Sequence, residues 1–127
     1  MGDLNSKVNR AVWFDVPVAD LDRATKFYAE VLGIQVFQET SGDFKFSVLD
    51  HQDGNGGCLV PKADEVSGKG ILLYLNVDGR IRDAVAKVTD LGGRVLEETT
   101  PIGPHGFRAI FLDSEGNRVA LHSNSDA

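Results

Sequence analysis

The sequence predicts an α+β fold: two βαβββ modules whose eight strands make a curved mixed sheet around a central pocket, with the helices outside. Three observations carry this reading. Within Ala11–Phe37, a short alternating apolar run is followed by a helical stripe, a glycine and a second alternating run. That unit returns later: Val77, Ile81, Ala84, Val88, Leu91-Gly92 and Val95 follow the order of Val18, Leu21, Ala24, Tyr28, Leu32-Gly33 and Val36. Each unit is then followed by two more short β-type runs joined by brief polar turns, the pattern of antiparallel hairpins. Neither half alone buries enough apolar surface, so the two are expected to share one core.

Strand one is expected at Ala11–Pro17, after a loose lead-in over 1–10. Asp20 suits a helix N-cap because its carboxylate accepts from free first-turn N–H groups. Arg23 stands where a full capping box has Glu or Gln, so half of that motif is missing. Leu21, Ala24, Phe27, Tyr28, Val31 and Leu32 make one apolar stripe over Leu21–Leu32. Gly33 ends the helix, since glycine enters the left-handed region freely. Strand two is Ile34–Glu39, Ser41-Gly42-Asp43 a turn, and strand three Phe44–Leu49. A Gly-rich polar loop, His51–Gly57, leads to a short strand Cys58–Val60 ended by Pro61.

One domain is expected, with module 1 over about 11–61, a polar connection over about 62–69 and module 2 over about 70–123. Module 2 reads as strand Gly70–Val77, helix Arg80–Leu91, strand Arg94–Glu98, an irregular loop Pro101–Gly106, strand Phe107–Leu112, a turn Asp113–Gly116 and strand Asn117–His122. The mixed charges of the second helix, from Arg80 to Asp90, look like a solvated face.

Of the 127 residues, 42% are apolar and 25% charged, ordinary values for a globular chain. The net charge of −6 argues against nucleic acid, where Lys and Arg replace phosphate counterions, and gives no help at an anionic membrane. The single cysteine, Cys58, excludes an internal disulfide and suits a reducing cytoplasm. The polar N-terminus has no apolar signal core. Gly2 and Ser6 match a myristoylation spacing, on too little sequence to count. No run approaches the ~20 apolar residues of a membrane span.

The layout, with FDVPVADLDRATKFYAEVLG, GGCLVP, ILLYLNVD and FLDSEGNRVALHS, resembles the vicinal oxygen chelate superfamily, which includes glyoxalase I, bleomycin-resistance proteins and extradiol dioxygenases. The resemblance runs from about Val12 to Ser123. It implies paired modules around a pocket, commonly completed in a homodimer. It also implies a divalent metal held by His and Glu from the strands. The matching positions here are Trp13, Leu59, Leu72 and Ala120, none of which can ligate a metal. No metal and no cofactor are therefore expected, and neither is the metal-dependent chemistry of glyoxalase I or the dioxygenases.

Strand parity puts Asp15 on the face of Trp13. Asp15 reads as a general base or ligand acceptor, or as a structural carboxylate paired with an arginine. Trp13 reads as a stacking wall for an aromatic or cationic ligand, or as filler of the space left by a metal. His122 shares parity with Ala120 and points either inward, as an acid or base, or away at a strand end. His105, in PIGPHG, caps the pocket mouth or faces solvent. His51 reads as exposed, and Cys58 as an inert buried thiol.

Two functions follow. One is a binding protein for a small organic molecule in the inter-module pocket, contacted by Trp13, Asp15, Leu72, Ala120 and His122. The other is a metal-independent lyase or isomerase using Asp15 with His105 or His122. An assembly module with a vestigial pocket is a third reading. The expected working form is a cytoplasmic homodimer.

Overall fold

The structure, a computed structural model, describes residues 8–127. Gly2, Ser6 and most of the expected lead-in lie outside the described residues. The first module comprises β1 (Asp15–Val18), α1 (Leu21–Leu32), β2 (Val36–Ser41), β3 (Phe44–Leu49) and β4 (Cys58–Pro61). The second comprises β5 (Leu73–Asn76), α2 (Ile81–Asp90), β6 (Arg94–Pro101), β7 (Phe107–Leu112) and β8 (Arg118–Ser123). Each module forms a four-stranded sheet of the same order, β1-β4-β3-β2 and β5-β8-β7-β6. In both, the first strand pairs in parallel with the last and the other pairings are antiparallel. The duplicated α+β architecture is the one the sequence predicts.

The helices follow their local chemistry. Asp20 is extended, and its Oδ1 accepts from the Arg23 N–H at 3.0 Å. Gly33, at φ 66°, closes the helix with its N–H on the Ala29 carbonyl. Ala24, Phe27, Tyr28, Val31 and Leu32 are buried, as their spacing requires. They meet Ile81, Ala84 and Val88 of α2 in one continuous core. Val16, Val18, Leu49 and Leu59 enter it from the first sheet, and Leu75, Phe111, Val119 and Leu121 from the second. The halves do share one core.

The missing half of the capping box comes from the other module. A capping box normally bonds the N-cap backbone N–H to a side chain three residues on. Here Glu115, in the β7–β8 turn, accepts from the Ala19 and Asp20 N–H groups at 3.0 and 2.9 Å. Arg23 donates to the same carboxylate through Nε and Nη2 at 2.7 and 2.8 Å. Beneath it, Asp113 accepts from the Tyr28 hydroxyl at 2.6 Å and from the backbone N–H groups of Glu115, Gly116 and Asn117. Asn117 Nδ2 donates to Asp113 and to the Pro17 carbonyl.

Several expected boundaries shift. The first strand begins at Asp15, not Ala11: the apolar run at Val12–Phe14 reflects Phe14 packing on the core rather than ladder pairing. The second strand runs two residues later than expected, through Ser41, because β2 pairs with β3 up to the turn. The fifth starts at Leu73, because Gly70 at φ 96° breaks the extended run. The sixth continues to Pro101, its extra residues absorbed by register shifts at Val95/Glu97 and Glu97/Thr100. Arg80 is not part of a solvated face. Its Nη1 donates to the Val31 carbonyl at 2.7 Å and its Nη2 to Asp83 at 2.6 Å, tying α2 to the end of α1.

Gly57 marks a close approach. A Cβ there would stand 2.5 Å from the Phe14 ring and carbonyl. Gly57→Ala is therefore expected to cost about 2 kcal/mol, measured by urea unfolding, because Phe14 and the chain entering β1 must move.

Candidate functional site

Alternation along each strand leaves one sheet face without a helix. In module 1 the register lines up Phe37, Val48, Cys58 and Asp15 across that face. Phe44 and Phe46 stack beside them at 5.6 Å and 22°. Phe37 and Phe44 are 45% and 43% exposed, so much aromatic surface is open. In module 2 one row is Tyr74, Ala120 and Ile110, and the next Asn76, His122 and Arg108.

Trp13 and Asp15 meet at Cys58. The thiol donates to Asp15 Oδ1 at 3.2 Å. Burial first, then the Asp15 hydrogen bond and charge, push the thiol up to about 11, against a smaller opposing hydrogen bond from Trp13. Cys58 therefore stays protonated at neutral pH and is no nucleophile. Trp13 is half-buried, its indole edge-on to the His51 ring at 5.7 Å and 87°. His51 is half-buried too, not exposed as its loop suggested, because this aromatic contact and an Nδ1 bond to the Gly54 carbonyl at 2.9 Å hold it.

His122 and His105 come together through one backbone atom. His122 Nε2 lies 2.7 Å from the His105 carbonyl, an acceptor only, so Nε2 carries the hydrogen. The His105 ring itself sits in an exposed turn. Among the described residues, no hydrogen bond or ion pair joins Asp15 to either histidine. Leu72 is half-buried just before β5, so the observed strand leaves out a residue that the expected strand Gly70–Val77 included. Ala120 is fully buried, so its neighbour Tyr74, 44% exposed, presents that row instead.

Two residues that the sequence reading passed over complete this face. Arg108 donates to the Tyr74 hydroxyl at 2.6 Å and to Glu97 at 3.0 Å. Arg118 begins β8 at the parity of Ala120 and His122. Strand parity with Ala120 and His122 is a signal that marks Arg118 in the sequence; Arg108 emerges only from the strand register.

Two clefts follow the seam between the modules. One, of about 360 Å³, is lined by Phe14, Ile34, Asp50, His51, Leu75 and Asn76 among others. The other, of about 190 Å³, takes in Asp15, Pro17, Ser67, Lys69, Leu73 and Arg118. Of the predicted site residues, only Asp15 lines either.

The divalent metal that the resemblance implies does not fit these residues. Trp13, Leu72 and Ala120 offer no lone-pair donor, and Leu59 points into the core, away from Cys58 and Val60. Among the described residues, no three His, Cys, Asp or Glu side chains converge as a metal would need. No helix among them is long and apolar enough to cross a membrane.

Residues 10–121 match the family model of the Glyoxalase/Bleomycin resistance protein/Dioxygenase superfamily. A glyoxylase-like domain-containing protein of Didymella fabae is 30% identical over 114 residues, 84% of this chain and 88% of that protein. A solved glyoxalase/bleomycin resistance protein/dioxygenase family enzyme from Burkholderia phytofirmans PsJN superposes with a TM-score of 0.70 at 20% identity, covering 87% of this chain and 95% of its own. TnmS3, an antibiotic binding protein from Streptomyces sp. CB03234, does so with a TM-score of 0.65 at 23% identity, covering 94% and 98%. At these identities the two structures speak for the fold alone.

Proposed function

Because the chain belongs to the glyoxalase/bleomycin resistance protein/dioxygenase superfamily, we propose that it binds a small organic molecule without a divalent metal. The observation that carries this is the uncovered aromatic surface of the first sheet. Phe37 and Phe44 stand nearly half exposed on the face that holds Trp13, Asp15 and Cys58. Large exposed aromatic side chains gain most from a ligand that stacks on them, and an indole also favours cations. The donor-free positions Trp13, Leu72 and Ala120 support independence from a metal. The acid–base alternative, a lyase or isomerase using Asp15 with His105 or His122, has weaker support. Asp15 is engaged by a thiol and His122 by a carbonyl.

The same reading takes the working form to be a cytoplasmic homodimer, its interface leaving Phe37 and Phe44 open to the ligand. Light scattering should return twice the mass of one chain; a monomer throughout the micromolar range overturns that part.

A thermal-shift and calorimetric screen against small aromatic and cationic compounds tests the binding function. Trp13→Ala is expected to weaken the best binder about tenfold, the size of a lost stacking contact. Metal analysis of the same preparation should find no stoichiometric divalent ion. A tightly held ion, or binding indifferent to Trp13, overturns the proposal.

A further inference from the structure

We propose that the cleft between β1 and β8 is a carboxylate subsite anchored by Arg118. This rests on the small-molecule reading above and names the group that would enter at this point. The guanidinium of Arg118 is always charged and carries five N–H donors. One of them, on Nη2, donates to the Gly70 carbonyl at 2.9 Å. Its Nε–H is buried and has no acceptor. Among the described residues, no carboxylate lies within ion-pair distance of Arg118, whereas Arg23, Arg80, Arg82 and Arg108 each have one. That Nε–H is sealed from the cleft, but the Nη1 hydrogens and the second Nη2 hydrogen have no acceptor among the described residues, and an unpaired guanidinium edge lining a cleft suits an anion.

The surroundings say which anion. Lys69 lines the same cleft and makes no ion pair among the described residues. Ser67, also in its wall, uses its hydroxyl oxygen to accept from the Lys69 N–H at 3.0 Å, which leaves the hydroxyl hydrogen to donate. The Asp15 and Glu65 carboxylates stand in the cleft as well and repel a dianion. A singly charged carboxylate is therefore favoured over phosphate. Pro17, Leu73 and the 97% exposed Ile71 add apolar wall, which suits a carboxylate on a small apolar body. At about 190 Å³ the cleft is smaller than the ~300 Å³ of a whole drug-sized ligand, so it takes one end of a molecule.

The test uses the ¹⁵N-labelled full chain, following the arginine Nε–Hε resonances while sodium benzoate, benzamide and inorganic phosphate are added separately. Benzoate is expected to move the Arg118 resonance, assigned by its loss in Arg118→Gln, along a saturating curve. Benzamide should leave it unmoved, and phosphate should bind at least about tenfold more weakly. Arg118→Gln should reduce benzoate affinity at least tenfold, followed through the Ser67 and Lys69 amides. Should that variant misfold, Lys69→Gln, on an exposed residue, serves instead and should weaken benzoate about threefold. A benzoate response that survives Trp13→Ala but not Arg118→Gln supports the subsite by itself. An Arg118 resonance unmoved by about 50 mM benzoate, or equal affinity in Arg118→Gln, overturns it. If aromatic compounds still depend on Trp13 in that case, the wider binding function stands without the subsite.

Discussion

Asp113→Ala is expected to cost about 4 kcal/mol of stability and to lower the melting temperature by roughly 15 °C. Asp113 is 3% exposed and accepts five hydrogen bonds from two modules: the Tyr28 hydroxyl, three successive backbone N–H groups and Asn117 Nδ2. Alanine would strand the Tyr28 hydroxyl, the Glu115 and Asn117 N–H groups and one Asn117 Nδ2 hydrogen, only the Gly116 N–H keeping an acceptor, the carbonyl of residue 113 at 3.2 Å. Tyr28 is fully buried, and burial together with the Asp113 charge raises its hydroxyl well above the usual tyrosine range, so it remains a donor. Tyr28→Phe alone should cost about 1.5 kcal/mol. The double variant should lose less than the sum, because each change removes the partner the other leaves unpaired. Additive losses in chemical denaturation would mean that the hydroxyl–carboxylate bond contributes nothing of its own.

Acid should weaken the fold through Glu115. Burial alone would raise this carboxyl, but the Arg23 guanidinium, the Ala19 and Asp20 N–H groups and the Ser114 hydroxyl together bring it from 4.5 down to about 2. A folded-state value below the unfolded one means that the stabilisation is complete above pH 4.5. It is lost as the pH falls from there through about 2, where the folded carboxyl takes up its proton. The Glu115 side chain is inaccessible to solvent while that of Arg23 is 51% exposed, so part of the attraction is screened. A contribution of about 2 kcal/mol at neutral pH is expected. Glu115→Gln should lose that amount at pH 7 and flatten the pH dependence of unfolding between pH 4.5 and 2. An unchanged acid limb would place the sensitivity in another carboxylate.

What could be read in advance divides along sequence distance. Asp20, the apolar stripe of α1 and Gly33 act on neighbours within a few residues, and each stands where the pattern put it. The repeated Leu-Gly step disclosed the duplication. The empty half of the capping box was legible at Arg23, but its remedy lay some ninety-five positions away in Glu115. No local rule reaches so far. Arg80 misled because a charge among mixed charges looks solvated, whereas its target, the Val31 carbonyl, exists only once the two helices pack. Trp13 and Asp15 both reach Cys58, but Trp13 lies outside β1, so their meeting does not come from the strand parity invoked for it. The anionic preference at Arg118 was invisible, since an unanswered donor is recognised only after every acceptor around it has been placed.

The borrowed cap on α1 also sets an order of events during synthesis. A ribosome releases α1 well before the carboxylate that finishes its opening turn, which belongs to the β7–β8 hairpin. Until then Ala19 and Asp20 offer their N–H groups to water, and the nascent amino-terminal half waits with a frayed helix and an uncovered apolar stripe. Chain termination before Glu115 should therefore yield a species that chaperones hold and proteases cut.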